Sequence, residues 1–195
     1  MTVVSVFKDP ALTRKNLTLT GEVKFSNLRE PKKAPNADDK DLKYEVVLVF
    51  DADDPTVARI DGLLKDGIEA EKKLSKKKLA EKPTMFEADF GLNKEDTGRL
   101  MLRVTKNARR KVSGQLTELP PPQVVNALDE PIERSFIRRG SKVEVTFDAK
   151  SYVMGAAGIS IRMTKIKILE EARSPRELEA EAASEALVTA EDSVL

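Results

Sequence analysis

The chain contains no cysteine, no histidine and no tryptophan. Without cysteine there are no disulfides, no zinc–thiolate sites and no thiol nucleophile. Without histidine the commonest general base and the commonest metal ligand are both missing. Aromatic residues make up only 5% of the 195 residues, two of them tyrosines, so flat side chains are scarce. No apolar run approaches the roughly 20 residues of a membrane span. The first residues, MTVVSVFKDPALTRKN, mix acid and base early and lack an apolar core of signal-peptide length. These absences predict a soluble, intracellular protein without a membrane partner. They also argue against an enzyme. No GxxxxGK[ST] or GxGxxG phosphate loop occurs. Asp51, Asp53 and Asp54 fit a strand end and a helix cap better than a metal site, and no metal or cofactor is expected.

Charge is abundant and segregated. Overall there are 34 basic and 33 acidic residues. Glu177 to Leu195 holds six acidic residues and no base, leaving 34 basic against 27 acidic, a net +7, in residues 1–176. Within 99–167 there are 14 basic and 6 acidic residues, a net +8. The pattern is a basic body with an acidic tail.

The strongest periodicity lies between Phe136 and Leu169. Val143, Val145 and Phe147 alternate with polar residues, as do Ile159, Ile161 and Met163. Beyond Lys165 the apolar phase slips by one residue, to Ile166 and Ile168, which predicts a β-bulge near Thr164. Met154-Gly155-Ala156-Ala157-Gly158 reads as the turn between two long strands. The polar face of this ribbon, and the turn before it, carry Arg138, Arg139, Lys142, Lys150, Arg162, Lys165 and Lys167.

Earlier in the chain, residues 1–15 read as an arm and Asn16–Ser26 as a first strand. Leu28–Asp41 reads as a loop, with Lys32 and Lys33 as possible anion contacts. Leu42–Phe50 is a second strand with both faces apolar. Asp54 is a helix cap and Pro55 a first helical residue. Val57, Ile60, Leu64, Ile68 and Leu74 follow at helical spacing, and Pro83 is a stop, predicting a helix over about 54–82. Gly62 and Gly67 weaken it by about 1 kcal/mol each. Residues 84–98 look irregular and Arg99–Thr105 is a third strand. Lys106–Lys111 reads as a basic loop, Pro120–Pro122 as a stiff connection and Gln123–Ala127 as a short strand. From Ser174 the composition turns to Ala, Glu and Ser, a marginal helix or a disordered tail.

Five or six short strands with one inserted helix make an all-β domain over 16–172, followed by a tail over 173–195. Pattern alone leaves a small Greek-key barrel of the OB type and a sandwich both open.

Several stretches carry a resemblance. They are Lys43-Tyr44-Glu45-Val46-Val47-Leu48 before Asp54-Pro55, and Val124-Val125-Asn126 before Glu130-Pro131-Ile132. The third is Gly140-Ser141-Lys142-Val143, leading through Phe147 and Tyr152 to Gly158-Ile159-Ser160-Ile161. With the acidic tail, their order and spacing over about 20–172 resemble the single-stranded-DNA-binding proteins of tailed bacteriophages, of the podovirus replication type. Tyr152 alone stands where that family places stacking aromatics on the last ribbon. The resemblance implies an OB-fold Greek-key barrel that coats single-stranded DNA in phage replication and recombination. It also implies a homodimer working in the cytoplasm of the infected bacterium. Its tail would contact replication proteins such as polymerase and helicase-primase, and Glu185, Glu191, Asp192 and Leu195 are the candidate contacts.

The chemistry of such binding needs cations tracking phosphates and flat groups under bases. The cationic candidates are Lys24, Lys43, Arg103, Lys106, Arg109, Arg110, Lys111, Arg138, Arg139, Lys142, Lys150 and Arg162. Arginine also stacks on bases. Of the aromatics, Phe147 falls on the core side, Phe136 and Tyr44 are candidates, and Tyr152 stands off the apolar register. A tethered anionic tail competes with DNA for a cationic groove at high effective concentration. The alternative class is a phage structural or recombination-mediator protein that uses the same barrel to bind protein.

Overall fold

The computed structural model describes residues 13–32, 42–75, 80–91, 94–154 and 156–174. The acidic tail from Glu177, with Glu185, Glu191, Asp192 and Leu195, lies outside the described residues, as do most of the expected N-terminal arm and Lys33.

In chain order the elements are β1 (Thr13–Lys32), β2 (Lys43–Asp51), α1 (Pro55–Ser75), β3 (Ala80–Glu81), β4 (Glu87–Phe90) and β5 (Asp96–Asn107). Then follow β6 (Arg109–Val112), β7 (Gln115–Glu118), β8 (Gln123–Val125), β9 (Lys142–Met154) and β10 (Ala156–Glu170). Five of them close a barrel. β1 pairs with β9 through its first half and with β2 through its second. β2 pairs with β5, and β9 with β10, both antiparallel. A parallel bridge between Arg162 of β10 and Thr105 of β5 completes the circuit. Closure removes the free sheet edges that an open sheet of this size would expose. This is the OB-type barrel, and the sandwich alternative falls.

Alternation fills the interior. Leu19, Val46, Leu48, Leu102, Val145 and Phe147 are among the fully buried side chains, each contributing about 1.5–3 kcal/mol by leaving water. The apolar phase slip has its predicted cause. Met163 stands opposite Phe147 but Lys165 opposite Thr146, so Thr164 is the extra residue. Its hydroxyl donates to the Thr146 carbonyl at 3.0 Å. The bulge returns Ile166 and Ile168 to the core.

The helix starts as expected. The Thr56 amide donates to Asp54 Oδ1 at 2.7 Å, and Ile60, Leu64 and Ile68 enter the barrel core. It packs mainly on β9 and β10, and Arg59 also donates to the Thr18 carbonyl of β1. At Gly67 a β-carbon would stand 2.5 Å from Ile159 Cγ2, so only glycine permits this approach of helix to ribbon. At Gly62 nothing lies within 4 Å.

Several boundaries differ from expectation. β1 begins at Thr13, within the supposed arm, and runs to Lys32, into the supposed loop. Leu28 is buried, and a register shift between Asn27 and Lys32 absorbs the polar, proline-bearing end of the strand. The helix ends at Ser75 rather than near residue 82, and Ala80–Glu81 pairs with the start of β10. Residues 84–98 contain β4 and the first part of β5. The basic stretch after Asn107 is not a loop but one strand of a hairpin, β6–β7. The ribbon turn is much tighter than five residues, since Ala156, Ala157 and Gly158 already pair with Met154, Val153 and Tyr152.

Candidate nucleic-acid interface

Cross-strand neighbours in a ladder share a face. On the outer face of the β9–β10 ribbon this rule aligns Tyr152 with Gly158, Lys150 with Ser160, and Asp148 with Arg162. Arg162 in turn stands beside Thr105 of β5. An open groove of about 300 Å³ runs here, lined by Thr105, Asn107, Asp148, Lys150, Ser160, Ile161 and Arg162. Lys150 and Arg162 outweigh Asp148, one of whose oxygens already accepts the Asn16 amide at 3.1 Å.

Lys106 stands close behind. Its ammonium donates to the Pro121 carbonyl at 3.1 Å. Burial pushes its pKa below the ordinary lysine value, and the positive charge of Arg162 adds to the effect. Two cations held near each other make a place where an anion relieves repulsion. Lys43, exposed, sits opposite Asn107 at the same end of β5. Arg103 lies two residues before Thr105, exposed and ion-paired with Glu45.

The other candidates go elsewhere. Lys24 is locked to the buried Asp89 and also donates to the Phe90 carbonyl at 2.9 Å, tying β1 to β4. Tyr44 is a core residue, only 7% exposed, and burial raises its pKa, assisted by Glu118. Phe147 is fully buried, whereas Phe136 is exposed, outside the strands. Arg109, Arg110 and Lys111 sit on the β6–β7 hairpin, and Arg109 pairs with Glu118 at 3.2 Å. Arg138, Arg139 and Lys142 cluster at the start of β9, where Arg138 donates to the Ala172 carbonyl at 3.3 Å. From Lys142 to Lys150 the strand covers about 26 Å at 3.3 Å per residue, so this is a second basic group. Lys165 and Lys167 both bind Asp129, at 2.7 and 2.6 Å.

The arrangement therefore gathers Lys43, Arg103, Lys106, Lys150, Tyr152 and Arg162 around one end of β5 and the outer ribbon. It separates them from Lys24 and from the Arg138–Lys142 group. Thr105, Asn107, Asp148 and Ser160 line the same groove without having been expected there. The outward phase of β9 and β10 was the signal available for Asp148 and Ser160. Of the three aspartates weighed as a metal site, Asp54 caps α1 and Asp51 pairs with Arg99 at 3.3 Å.

No family model matches this chain, and neither does any curated protein. Solved structures do. The single-stranded DNA-binding protein gp2.5 encoded by bacteriophage T7 superposes with a TM-score of 0.58 at 17% identity, covering 83% of this chain and 94% of its own. The single-stranded DNA-binding protein of bacteriophage Enc34 gives 0.52 at 15% identity, covering 84% and 82%. The same Enc34 protein in complex with single-stranded DNA gives 0.51 at 13% identity, covering 86% and 99%. The chain shares the fold of these proteins over most of its length.

Proposed function

We propose that this protein binds single-stranded DNA without sequence preference and coats it during phage replication and recombination. One observation carries the proposal. The outer groove on β5, β9 and β10 presents Lys150 and Arg162, with the partly exposed Tyr152 two residues beyond Lys150 on the same face of β9 and Lys106 close behind. Cations along a groove track the phosphates, and a flat side chain at its end offers a platform for a base. The groove's hydroxyl and amide groups, from Thr105, Ser160 and Asn107, hydrogen-bond to sugars and base edges of any sequence. The names of the structurally similar phage proteins point the same way.

The finer parts of the proposal rest on sequence. The acidic stretch from Glu177 occupies the groove when DNA is absent and engages the replication machinery, polymerase or helicase-primase, when DNA displaces it. The protein acts as a homodimer in the cytoplasm of the infected bacterium, with no catalytic step of its own.

Filter binding of oligo-dT and of duplex DNA at two salt concentrations tests the function. Preference for oligo-dT with a linear fall of log affinity against log salt is the expected result. Equal, weak binding of both would end the proposal in favour of a protein-binding barrel.

A further inference from the structure

We propose that the β6–β7 hairpin is a second nucleic-acid-binding element, an arm that lies along a strand held in the groove and slows its release. This rests on the groove being the single-strand site.

The hairpin stands apart from the barrel. β6 and β7 form their own two-stranded sheet, and every residue from Arg110 to Glu118 is exposed. It is nevertheless well built. Ser113 at φ 49° and Gly114 at φ 90° make a two-residue turn with both central residues left-handed, the geometry that matches strand twist. Its base is fastened three times. The Ala108 amide donates to the Leu42 carbonyl at 2.8 Å, and the Leu119 amide to the Ala108 carbonyl at 2.7 Å. The third fastening is the Arg109–Glu118 pair. The base follows directly on Thr105 and Asn107, two residues that line the groove. The arm therefore springs from the groove's own wall.

A free two-stranded hairpin is marginal in water, so its composition indicates what it meets. Beyond the base, Arg110 and Lys111 make no ion pair among the described residues. Val112 and Leu116 are 42% and 51% exposed. The pairing of Lys111 with Leu116 and of Val112 with Gln115 gives each face one unpaired cation and one apolar side chain. That combination suits a polymer with phosphates on one side and flat apolar bases on the other. Continuity with the groove makes that polymer the same single strand rather than a protein.

Trypsin, which cleaves after Arg and Lys, reads the arm directly in the full-length protein. Saturating oligo-dT is expected to protect the bonds after Arg110 and Lys111. The double variant Arg110→Ala/Lys111→Ala should keep the wild-type melting temperature. Its log–log salt slope should fall by about 1.4, at about 0.7 per phosphate contact, and dissociation should quicken. Leu116→Ser should quicken dissociation without changing the slope. Unprotected cleavage, or a double variant with wild-type slope and off-rate while Lys150→Ala/Arg162→Ala binds weakly, overturns the arm and leaves the groove standing. A wild-type protein that fails to bind oligo-dT overturns both.

Discussion

Tyr152 lies across the ribbon from Gly158, its hydroxyl 3.1 Å from where a β-carbon on that glycine would sit. The glycine leaves room for the ring to lie against the strand beside Lys150. A stacked base on this ring is worth on the order of 1–3 kcal/mol. Tyr152→Ala should therefore weaken oligo-dT binding by about 5- to 150-fold, while Tyr152→Phe should bind nearly as the wild type. The chain has no tryptophan and its other tyrosine, Tyr44, is buried away from solvent, so the part of the tyrosine emission that bound DNA can quench by contact reports Tyr152. Oligo-dT should quench that emission in the wild type and leave Tyr152→Phe unquenched. Equal quenching in both would place the contact elsewhere.

The two helix glycines should respond in opposite directions. Gly62→Ala adds a methyl to open space and should stabilise the protein by up to about 1 kcal/mol. Gly67→Ala drives a methyl into Ile159 and should cost about 1–3 kcal/mol despite the better helix propensity. Urea unfolding of the two variants checks both signs. A stabilised Gly67→Ala would mean that helix and ribbon are not held as close as described.

The barrel was legible because its strands are long and half-buried, so period-2 alternation survives in Val143–Phe147 and Ile159–Met163. The bulge was legible for the same reason, since a phase slip has one cheap structural cause. Boundaries failed where tertiary pairing overrode local composition. Leu28 is buried although charge and proline follow it, and the polar stretch 84–98 hides β4 and the start of β5. The β6–β7 hairpin went unread because three consecutive cations masked the Ser113-Gly114 turn. At the groove, charge counting could not tell ion-paired cations from the rest. Lys24, Arg103 and Arg109 meet Asp89, Glu45 and Glu118, and nothing local announces the first two encounters across 65 and 58 residues of sequence.

Lys24 should prove structural. Its partner Asp89 is buried, and although burial works to raise that carboxyl's pKa, hydrogen bonds from Lys24 and Thr97 hold it below the ordinary value. Lys24→Ala strands the carboxylate and should cost on the order of 3 kcal/mol of stability. Binding of oligo-dT at a temperature well below unfolding should stay unchanged. Weaker binding with unaltered stability would return Lys24 to the DNA-contacting set.

Removal of residues 177–195 takes away six negative charges without touching the barrel strands. If those charges compete for the groove, the truncated protein should bind oligo-dT more tightly at low salt, with little change in salt dependence. No gain at low salt would end the competition idea while leaving the groove intact.

Asp129 predicts an acid-dependent loss of stability. It sits at φ 64° in the turn before the ribbon and accepts from both Lys165 and Lys167, which hold its carboxyl down at about 2 against an ordinary 3.8. A folded-state pKa below the unfolded one means the pair stabilises above the unfolded value. That contribution fades as pH falls from 3.8 through about 2. Asn tolerates the left-handed backbone, so Asp129→Asn removes the charge without straining the turn. Wild type should exceed the variant in urea midpoint near neutral pH, and the two curves should converge at the acid end of that window. Added salt should narrow the gap at neutral pH, because the pair is exposed and screened. A gap as wide at pH 2 as at neutral pH would show that the ion pairs with the two lysines are not its source.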